Sequence, residues 1–203
     1  MRPLQLSAAV FAAALLLTAA STTTASAQTR TVPADVADGG FEVPVVPAPA
    51  PFTTVPGGQT AGPWAVGGDS VDVTSDRLWD AAEGSQSLDL NGTTSGSVSQ
   101  VIPTLPLTSY VVSFELAGNP AWAPALKTGE LRVDGTLVKT FSFDVTGRQF
   151  RDMGYTRQTA VFTNLLKGSV TLTFTSTSPG PGGPVVDDVK VRSCLLVLCP
   201  PAH

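Results

Sequence analysis

Asp187 is the side chain whose position in the sequence most demands a chemical explanation, because it lies in a run of valines. If this segment is a strand, its alternate residues share a face, and Asp187 falls on the same face as Val185, Val189 and Val191. We expect those valines to face the core. A carboxylate buried there without a partner costs several kcal/mol. Asp187 therefore requires a cation or several hydrogen-bond donors.

Two further acidic residues are natural companions for Asp187. Glu42 lies in a predicted first strand at 40–45, and Glu83 precedes Gly84 in a predicted loop. Two or three carboxylates, together with backbone carbonyls, supply the roughly six to eight oxygen ligands that calcium takes. The sequence thus predicts a structural calcium ion held by Glu42, Glu83 and Asp187.

Three alternatives to calcium stay open at this point. Asp187 accepts hydrogen bonds from backbone N–H groups and hydroxyls in the first alternative, with no metal. In the second, a β-bulge breaks the alternation and leaves Asp188 inside. In the third, the paired acids hydrolyse a glycosidic bond, which requires that they line an open cleft.

The histidine and cysteine content excludes much other chemistry. His203 is the one histidine of the chain, so a Ser-His-Asp relay, a His-ligated zinc site and a His general base are not expected. Cys194 and Cys199 are the two cysteines. In an oxidising compartment, this spacing favours a small disulfide loop over a redox pair.

The elements that position these residues are predicted to be short strands. Apolar residues alternate with polar ones through most of the chain after Gly39, with almost no helical periodicity, and Asp134-Gly135 is a hairpin signal. Strands are predicted at 40–45, 64–73, 86–91, 97–102, 110–116, 131–133, 136–143, 158–163, 170–174 and 184–192. This pattern predicts an all-β fold, an antiparallel β-sandwich of the jelly-roll type.

The chain divides into a signal, a lead-in, one domain and a tail. Residues 1–27 carry an apolar run followed by a small, polar stretch that ends in the small-x-small motif Ala25-Ser26-Ala27, which predicts a cleavable secretion signal rather than a retained anchor helix. Residues 28–38 form a flexible lead-in, 39–192 the β-sandwich and 193–203 a tail with the disulfide loop. The proline-rich stretch 44–63 is predicted to be an extended surface excursion.

The net charge narrows the range of partners. The formal charge of the chain is −4. An acidic, weakly charged surface argues against nucleic acid and against anionic membranes as partners. No segment after the signal has the length or apolarity to cross a membrane. We therefore expect a secreted, extracellular protein.

A series of short motifs runs in a fixed order along residues 39–192. The motifs are Gly40-Phe41-Glu42, Gly62-Pro63-Trp64-Ala65-Val66, Gly68-Asp69-Ser70-Val71-Asp72-Val73, Trp79-Asp80-Ala81-Ala82-Glu83-Gly84-Ser85-Gln86-Ser87-Leu88-Asp89-Leu90-Asn91-Gly92, Gly96-Ser97-Val98-Ser99-Gln100, Phe114-Glu115-Leu116-Ala117-Gly118-Asn119-Pro120, Met153-Gly154-Tyr155 and Gly183-Pro184-Val185-Val186-Asp187-Asp188-Val189. This series resembles the bacterial choice-of-anchor C family, which is similar to the plant cell-wall proteins of domain of unknown function 642. Both resemble galactose-binding-domain-like sandwiches and carbohydrate-binding modules.

The resemblance implies a jelly-roll sandwich associated with cell-wall polysaccharide. In the related modules, a structural calcium is held by the Glu after Gly-Phe and by an Asp of the final strand. Carried over to this chain, those residues are Glu42 and Asp187, with Glu83 as a weaker transfer.

A sugar site usually places an aromatic ring against the apolar face of a pyranose, with polar groups that reach the hydroxyls. Trp122 is the first candidate, because it lies in the irregular loop that begins at Asn119. The alternative is that this loop folds against the sandwich. Trp79, followed by Asp80, is the second candidate. We predict ligand contacts from Trp122, Trp79, Asp80 and Asn119.

These observations favour a binding function over an enzymatic one. The leading hypothesis is a secreted, calcium-stabilised, carbohydrate-binding-like module that acts without catalysis on a cell-wall or extracellular polysaccharide. A structural or adhesive surface protein that binds another protein is the second hypothesis. A carboxylate-based glycoside hydrolase is the third.

Overall fold

The structure, a computed structural model, describes residues 34–194, and these residues form β-strands joined by turns and loops. None of them forms a helix that is long and apolar enough to span a bilayer. The strands are β1 (Phe52–Pro56), β2 (Thr60–Ala61), β3 (Trp64–Gly68), β4 (Ser70–Ser75), β5 (Gln86–Asp89), β6 (Gly96–Pro103), β7 (Thr108–Gly118), β8 (Leu126–Val133), β9 (Thr136–Asp144), β10 (Thr156–Asn164), β11 (Ser169–Ser176) and β12 (Pro184–Cys194).

The described strands pair into two six-stranded sheets. The first sheet has the order β1-β4-β5-β12-β7-β10, and the second has the order β2-β3-β6-β11-β8-β9. The strand pairs in both sheets are antiparallel. The predicted antiparallel β-sandwich is therefore confirmed.

The core between the sheets is built from alternate residues of each strand, as the patterning predicts. In β7, Val112, Phe114 and Leu116 are buried. The ring of Phe114 meets Phe174 of β11 edge-on, with the ring centroids 5.0 Å apart, so these side chains face the second sheet. Each fully buried side chain of this kind stabilises the fold by roughly 1.5–3 kcal/mol.

The strand register separates the two faces of the first sheet, because directly paired residues share a face. Val186 pairs with Leu116, so Val186 faces the core. Its neighbour Val185 pairs with Asp89, and Asp89 pairs with Asp72. These three residues therefore lie on the opposite side of the sheet, which we call the outer face.

A β-bulge in β12 breaks the alternation that the sequence predicted. The ladder with β7 shifts between Asp187 and Lys190, and Asp188 has a φ of 48°. Asp187 lies on the outer face, whereas Val189 and Val191 are buried beyond the bulge. The prediction that Asp187 shares the core face with those valines is therefore wrong. Asp188 does not lie inside either, since it is partly exposed and its carboxylate lies 2.6 Å from the Lys190 Nζ.

The predicted strand at 40–45 is also wrong, because this segment forms turns and irregular backbone. Phe41 has a φ of 55°, which a strand does not allow. The Asp38 carboxylate accepts a hydrogen bond from the Glu42 backbone N–H at 2.7 Å and fixes the loop. The Phe41 ring nevertheless reaches the core, where its centroid lies 5.3 Å from that of Trp64.

The proline-rich stretch 44–63 is more than the surface excursion that was predicted. It contains β1 and β2, which form one edge strand of each sheet. β1 pairs with β4 from Phe52 opposite Thr74 to Pro56 opposite Ser70. This stretch therefore extends the first sheet and adds side chains to its outer face.

The described part of the predicted flexible lead-in, residues 34–38, packs against the sandwich. Ala34 is buried, and the backbone N–H of Ala37 donates to the Gln100 side chain at 2.8 Å. The lead-in was therefore predicted wrongly over these residues.

Several predictions concern residues outside the part of the chain that the structure describes. The secretion signal at 1–27 lies there, and so does Cys199. Cys194 is the last residue of β12. Its pairing with Cys199 stays a prediction.

Candidate functional site

Asp187 is fully buried on the outer face of the first sheet. Its Oδ2 accepts hydrogen bonds from the backbone N–H groups of Ala82 (2.8 Å) and Glu83 (3.0 Å), in the loop between β4 and β5. Its Oδ1 accepts a third from the Asp188 N–H at 2.7 Å. Burial raises the pKa of Asp187 to about 7, although these hydrogen bonds oppose the rise and the charge of Glu83 adds to it.

Glu42 binds the other end of the same loop. Its Oε1 accepts hydrogen bonds from the backbone N–H groups of Ser85 (2.8 Å) and Gln86 (2.9 Å), and its Oε2 accepts one from the Ser85 hydroxyl at 2.8 Å. A Cβ at Gly84 would collide with this carboxylate, and the φ of Gly84 is 63°. Glycine at this position therefore allows the close approach of Glu42.

The three predicted calcium ligands are neighbours, but they are not arranged around a common point. A Cβ placed on Gly40 would collide with the Glu83 carboxylate and lie 3.9 Å from Asp187 Oδ1. Glu42 is instead turned toward the backbone N–H groups of Ser85 and Gln86. Within residues 34–194, no group of three or more acidic, histidine or cysteine side chains is arranged to hold a metal ion. The arrangement does not fit a shared calcium site, and calcium stays a prediction.

A cleft of about 320 Å³ lies on the outer face of the first sheet, and we call it the sheet cleft. Side chains of β1 and β4 line one part of it, and five loops line the rest. The strands contribute Phe52, Thr54, Asp72 and Thr74, and the loops contribute Trp79, Thr93, Asn119, Trp122 and Phe150, among others. Three of the four predicted ligand-binding residues, Trp79, Asn119 and Trp122, thus meet in one cleft.

Trp122 presents an exposed ring to the sheet cleft, with 54% of its surface accessible. Its backbone carbonyl accepts a hydrogen bond from the Lys127 Nζ at 2.6 Å, and the same ammonium donates to the Gly182 carbonyl at 2.8 Å. Burial lowers the pKa of Lys127, and the charge of Asp89 opposes this. A Cβ at Gly182 would stand only 2.8 Å from the Trp122 Cβ. A buried lysine and a glycine therefore hold this tryptophan in place.

Trp79 lines the sheet cleft but is almost fully buried, at 2% exposure. Its Nε1 donates to the Ser87 hydroxyl at 2.9 Å, and its ring packs against Phe150 at a centroid distance of 6.1 Å. Trp79 therefore forms part of the cleft wall and offers no free ring face comparable to that of Trp122.

Asn119 is held by Asp89, a buried residue that sequence reasoning did not select. The Asn119 Nδ2 donates to Asp89 Oδ2 at 2.8 Å, while Asp89 Oδ1 accepts from the backbone N–H groups of Asn91 and Gly183, both at 2.9 Å. Burial raises the pKa of Asp89 to about 7, although the three donors oppose the rise. This network fixes the start of the loop that carries Trp122.

Asp80, the fourth predicted ligand-binding residue, lies outside the sheet cleft. Its carboxylate is exposed and forms an ion pair with the Arg151 Nη1 at 2.8 Å. It stabilises the surface of the β4–β5 loop and does not join the other three residues.

Sequence reasoning also missed the contribution of β1 to the sheet cleft. Phe52 is 42% exposed and Thr54 lies beside it on the same face. The strand could have been recognised from the alternation of Phe52, Thr54 and Pro56 with Thr53 and Val55. The many prolines of this stretch instead favoured its interpretation as a loop.

A larger hollow of about 550 Å³ lies between β9 and β10. Leu165 and Leu166 line it with 61% and 85% of their surfaces exposed, beside an ion pair of Lys167 and Asp134. Its aromatic residue, Phe162, is buried. The sheet cleft is therefore the better candidate for a sugar, because its two exposed rings offer stacking surfaces.

Comparison with known proteins gives one family and a set of similar folds. Residues 34–192 match the model of the family described as "Protein of unknown function (DUF642)". No curated protein matches the chain.

Three solved structures illustrate the similar folds. The family 35 carbohydrate binding module from Clostridium thermocellum has 22% sequence identity and a TM-score of 0.48, over 68% of this chain and 97% of that one. TmCBM61, in complex with β-1,4-galactotriose, has 19% identity and a TM-score of 0.47, over 64% and 87%. The CBM22-1 xylan-binding domain of Paenibacillus barcinonensis Xyn10C has 17% identity and a TM-score of 0.44, over 70% and 92%. At these identities the likeness concerns the fold.

Proposed function

The chain belongs to the DUF642 family of proteins of unknown function, and we propose that it is an exported, non-catalytic module that binds polysaccharide in the sheet cleft. Its expected place of action is a cell wall or another extracellular glycan. The family membership confirms the DUF642 part of the resemblance, while the choice-of-anchor C part stays a prediction.

The exposed ring of Trp122 is the observation that carries this proposal. Exposing a tryptophan forfeits a large hydrophobic stabilisation, and here Lys127 and Gly182 hold the residue in that state. Phe52 supplies a second exposed ring in the same cleft. Aromatic faces of this kind pack against the C–H face of a sugar ring.

Polar side chains in the sheet cleft complement the aromatic rings. Thr54 and Thr93 supply hydroxyl groups, and Asp72 supplies a carboxylate. Hydroxyls both donate and accept hydrogen bonds, so they suit the hydroxyl groups of a sugar. The volume of about 320 Å³ is at the lower end of the range for small-molecule sites, which suits a short stretch of a longer chain.

The acidic residues of this region support binding without hydrolysis. Asp72 and Asp89 are direct cross-strand partners on one face of the sheet. Asp89 is fully buried and accepts three hydrogen bonds, so it is not free to act on a substrate. Glycoside hydrolysis requires two carboxyl groups on either side of the scissile bond. This pair is not disposed in that way.

Replacing the exposed tryptophan tests the proposal. We expect Trp122→Ala to weaken retention on soluble polysaccharides in affinity gels at least tenfold, equivalent to about 1.4 kcal/mol. The melting temperature should change by less than about 1 °C, because the ring is largely exposed.

Leu166→Ala is the matched control, since it removes a more exposed apolar side chain outside the sheet cleft. It should retain polysaccharide like the unmodified protein. Retention of no polysaccharide by the unmodified protein, or equal retention by Trp122→Ala, would overturn the proposal.

A further inference from the structure

On the premise that the sheet cleft binds carbohydrate as proposed above, we propose that Asp72 determines its specificity: the cleft takes neutral or amino-bearing sugars and rejects uronates. Amino-bearing sugars carry an ammonium group when protonated, and uronates carry a carboxylate. The proposal names the class of glycan by its charge and leaves the identity of the neutral backbone to experiment.

Asp72 is the only charged side chain among the described residues that line the sheet cleft. It is half-buried on β4, and its Oδ1 accepts a hydrogen bond from the Thr54 hydroxyl at 2.6 Å. Within residues 34–194, Oδ2 has no hydrogen-bond partner and no basic side chain forms an ion pair with Asp72. The carboxylate therefore keeps acceptor capacity for a ligand.

A second carboxylate lies next to Asp72 in the sheet. Asp89 is its direct cross-strand partner, and side chains in such positions have Cβ atoms roughly 4.5–5.5 Å apart. Lys127 is the nearby cation, but its ammonium is bound to the carbonyls of Trp122 and Gly182 and does not line the cleft. Burial raises the pKa of Asp89 to about 7, so near neutral pH it carries only part of a charge. Asp72 is thus the charge that the cleft presents to a ligand, and no described lining residue offsets it.

The consequence for ligands follows from like-charge repulsion. A uronate bound over Trp122 would bring its carboxylate into the cleft that Asp72 also lines, a partly desolvated site where repulsion between like charges is strong. An ammonium group on a sugar would instead gain a charge-assisted hydrogen bond to Asp72. A neutral sugar loses neither its stacking on the aromatic rings nor its hydroxyl contacts.

The test uses the full chain in affinity gels at about 150 mM salt with a chelator, so that neither long-range attraction nor a bridging cation decides the result. Matched probes share a β-1,4-linked backbone: soluble cellulose derivatives without charge, polyglucuronate and chitosan. A second pair is polygalacturonate and its fully methyl-esterified form, which share one α-1,4-linked backbone and differ in the charge of the carboxyl groups. The variants are Asp72→Asn, which keeps the acceptor for Thr54, and Trp122→Ala.

We expect the unmodified protein to bind each uronate polymer at least tenfold more weakly than its neutral counterpart. Asp72→Asn should reduce that preference at least tenfold and weaken any chitosan binding, whatever its effect on the absolute affinity for the neutral polymer. Asp144→Asn is the control, because it removes the same charge from an exposed carboxylate on β9, outside the cleft. It should bind like the unmodified protein.

The two proposals fail in different ways. The role of Asp72 is overturned if uronates bind as tightly as neutral polymers, or if Asp72→Asn leaves the charge preference unchanged. In either case a loss of binding in Trp122→Ala would still support carbohydrate binding in the sheet cleft. Retention of no polymer at all, or no effect of Trp122→Ala, overturns the proposed function and with it the inference drawn from it.

Discussion

The regions around Asp187 and Asp89 both lie on the outer face, and both stabilise a buried carboxylate with N–H donors. They differ in whether the surface above the carboxylate is covered or open. Around Asp187, the loop between β4 and β5 folds over the sheet and supplies N–H groups from Ala82 and Glu83. Around Asp89, N–H groups come from Gly183 and the Asn119 side chain, yet the surface above stays open as the sheet cleft. The comparison indicates that the covered region serves stability, whereas the open region is the one for which we propose recognition.

Removing the carboxylate of the covered region should have the largest effect. Asp187→Ala leaves three backbone N–H groups without their acceptor, and one unsatisfied buried group costs roughly 1–3 kcal/mol. We expect a loss of about 3 kcal/mol, which lowers the melting temperature of a domain of this size by about 6–12 °C. Calorimetry measures this change.

Asp188→Asn is the matched control for that substitution. Among residues 34–194 the Asp188 side chain pairs only with Lys190, at the partly exposed surface, and asparagine tolerates a positive φ. It should change the melting temperature by no more than about 2 °C. Equal destabilisation by the two variants would show that the N–H network around Asp187 has no special role.

The pH dependence of stability should reveal both buried carboxyl groups. An aspartate in an unfolded chain titrates near pH 3.9, whereas burial raises the pKa of Asp187 and of Asp89 to about 7. Between about pH 4 and 7 the folded protein thus binds more protons, so its stability falls as the pH rises through this range and then levels off. We expect a melting temperature several degrees higher at pH 5 than at pH 7.5.

Variants separate the two contributions to this pH dependence. Asp187→Asn and Asp89→Asn should each remove part of the difference between pH 5 and pH 7.5. Burial also raises the pKa of Asp72, which therefore contributes in the same direction. Asp134 and Asp144 do not interfere, because hydrogen bonds lower the pKa of each below its ordinary value. A melting temperature that rises from pH 5 to pH 7.5 would contradict the burial of both groups as ionisable side chains.

Chelation should have the smallest effect. Because Asp187 and Glu42 already have N–H partners, we expect a chelator to shift the melting temperature by less than about 1 °C. A decrease of several degrees would show that calcium binds here, as the sequence predicts. It would also mean that these carboxylates exchange their N–H partners for the ion.

The sequence predicted the fold well where alternation is a local property. The period-2 pattern of Val112, Phe114 and Leu116 is visible in single segments and gave the sandwich correctly. It failed at 40–45, because the Asp38 carboxylate caps the backbone there and Phe41 reaches the core with a positive φ. Neither feature has a period that can be recognised in the sequence.

The candidate site was harder to predict because it depends on strand register. Asp187 was correctly expected to be buried, but for the wrong reason, since the bulge places it on the outer face beneath a loop. Asp89 alternates with Leu88 and Leu90 and therefore resembles a solvent-facing residue. Its burial and its position opposite Asp72 follow only from the pairing of β5 with its neighbours.

The final strand also holds one residue more than its ladder uses. Shortening the chain by Asp188 alone would leave Val189 opposite Phe114 and Lys190 opposite Ser113, as a regular antiparallel pair requires. What the shortened protein would lose is the amide that donates to Asp187. The extra residue thus supplies a hydrogen-bond donor to its own neighbour. Deleting it should preserve the fold of the domain but lower its stability.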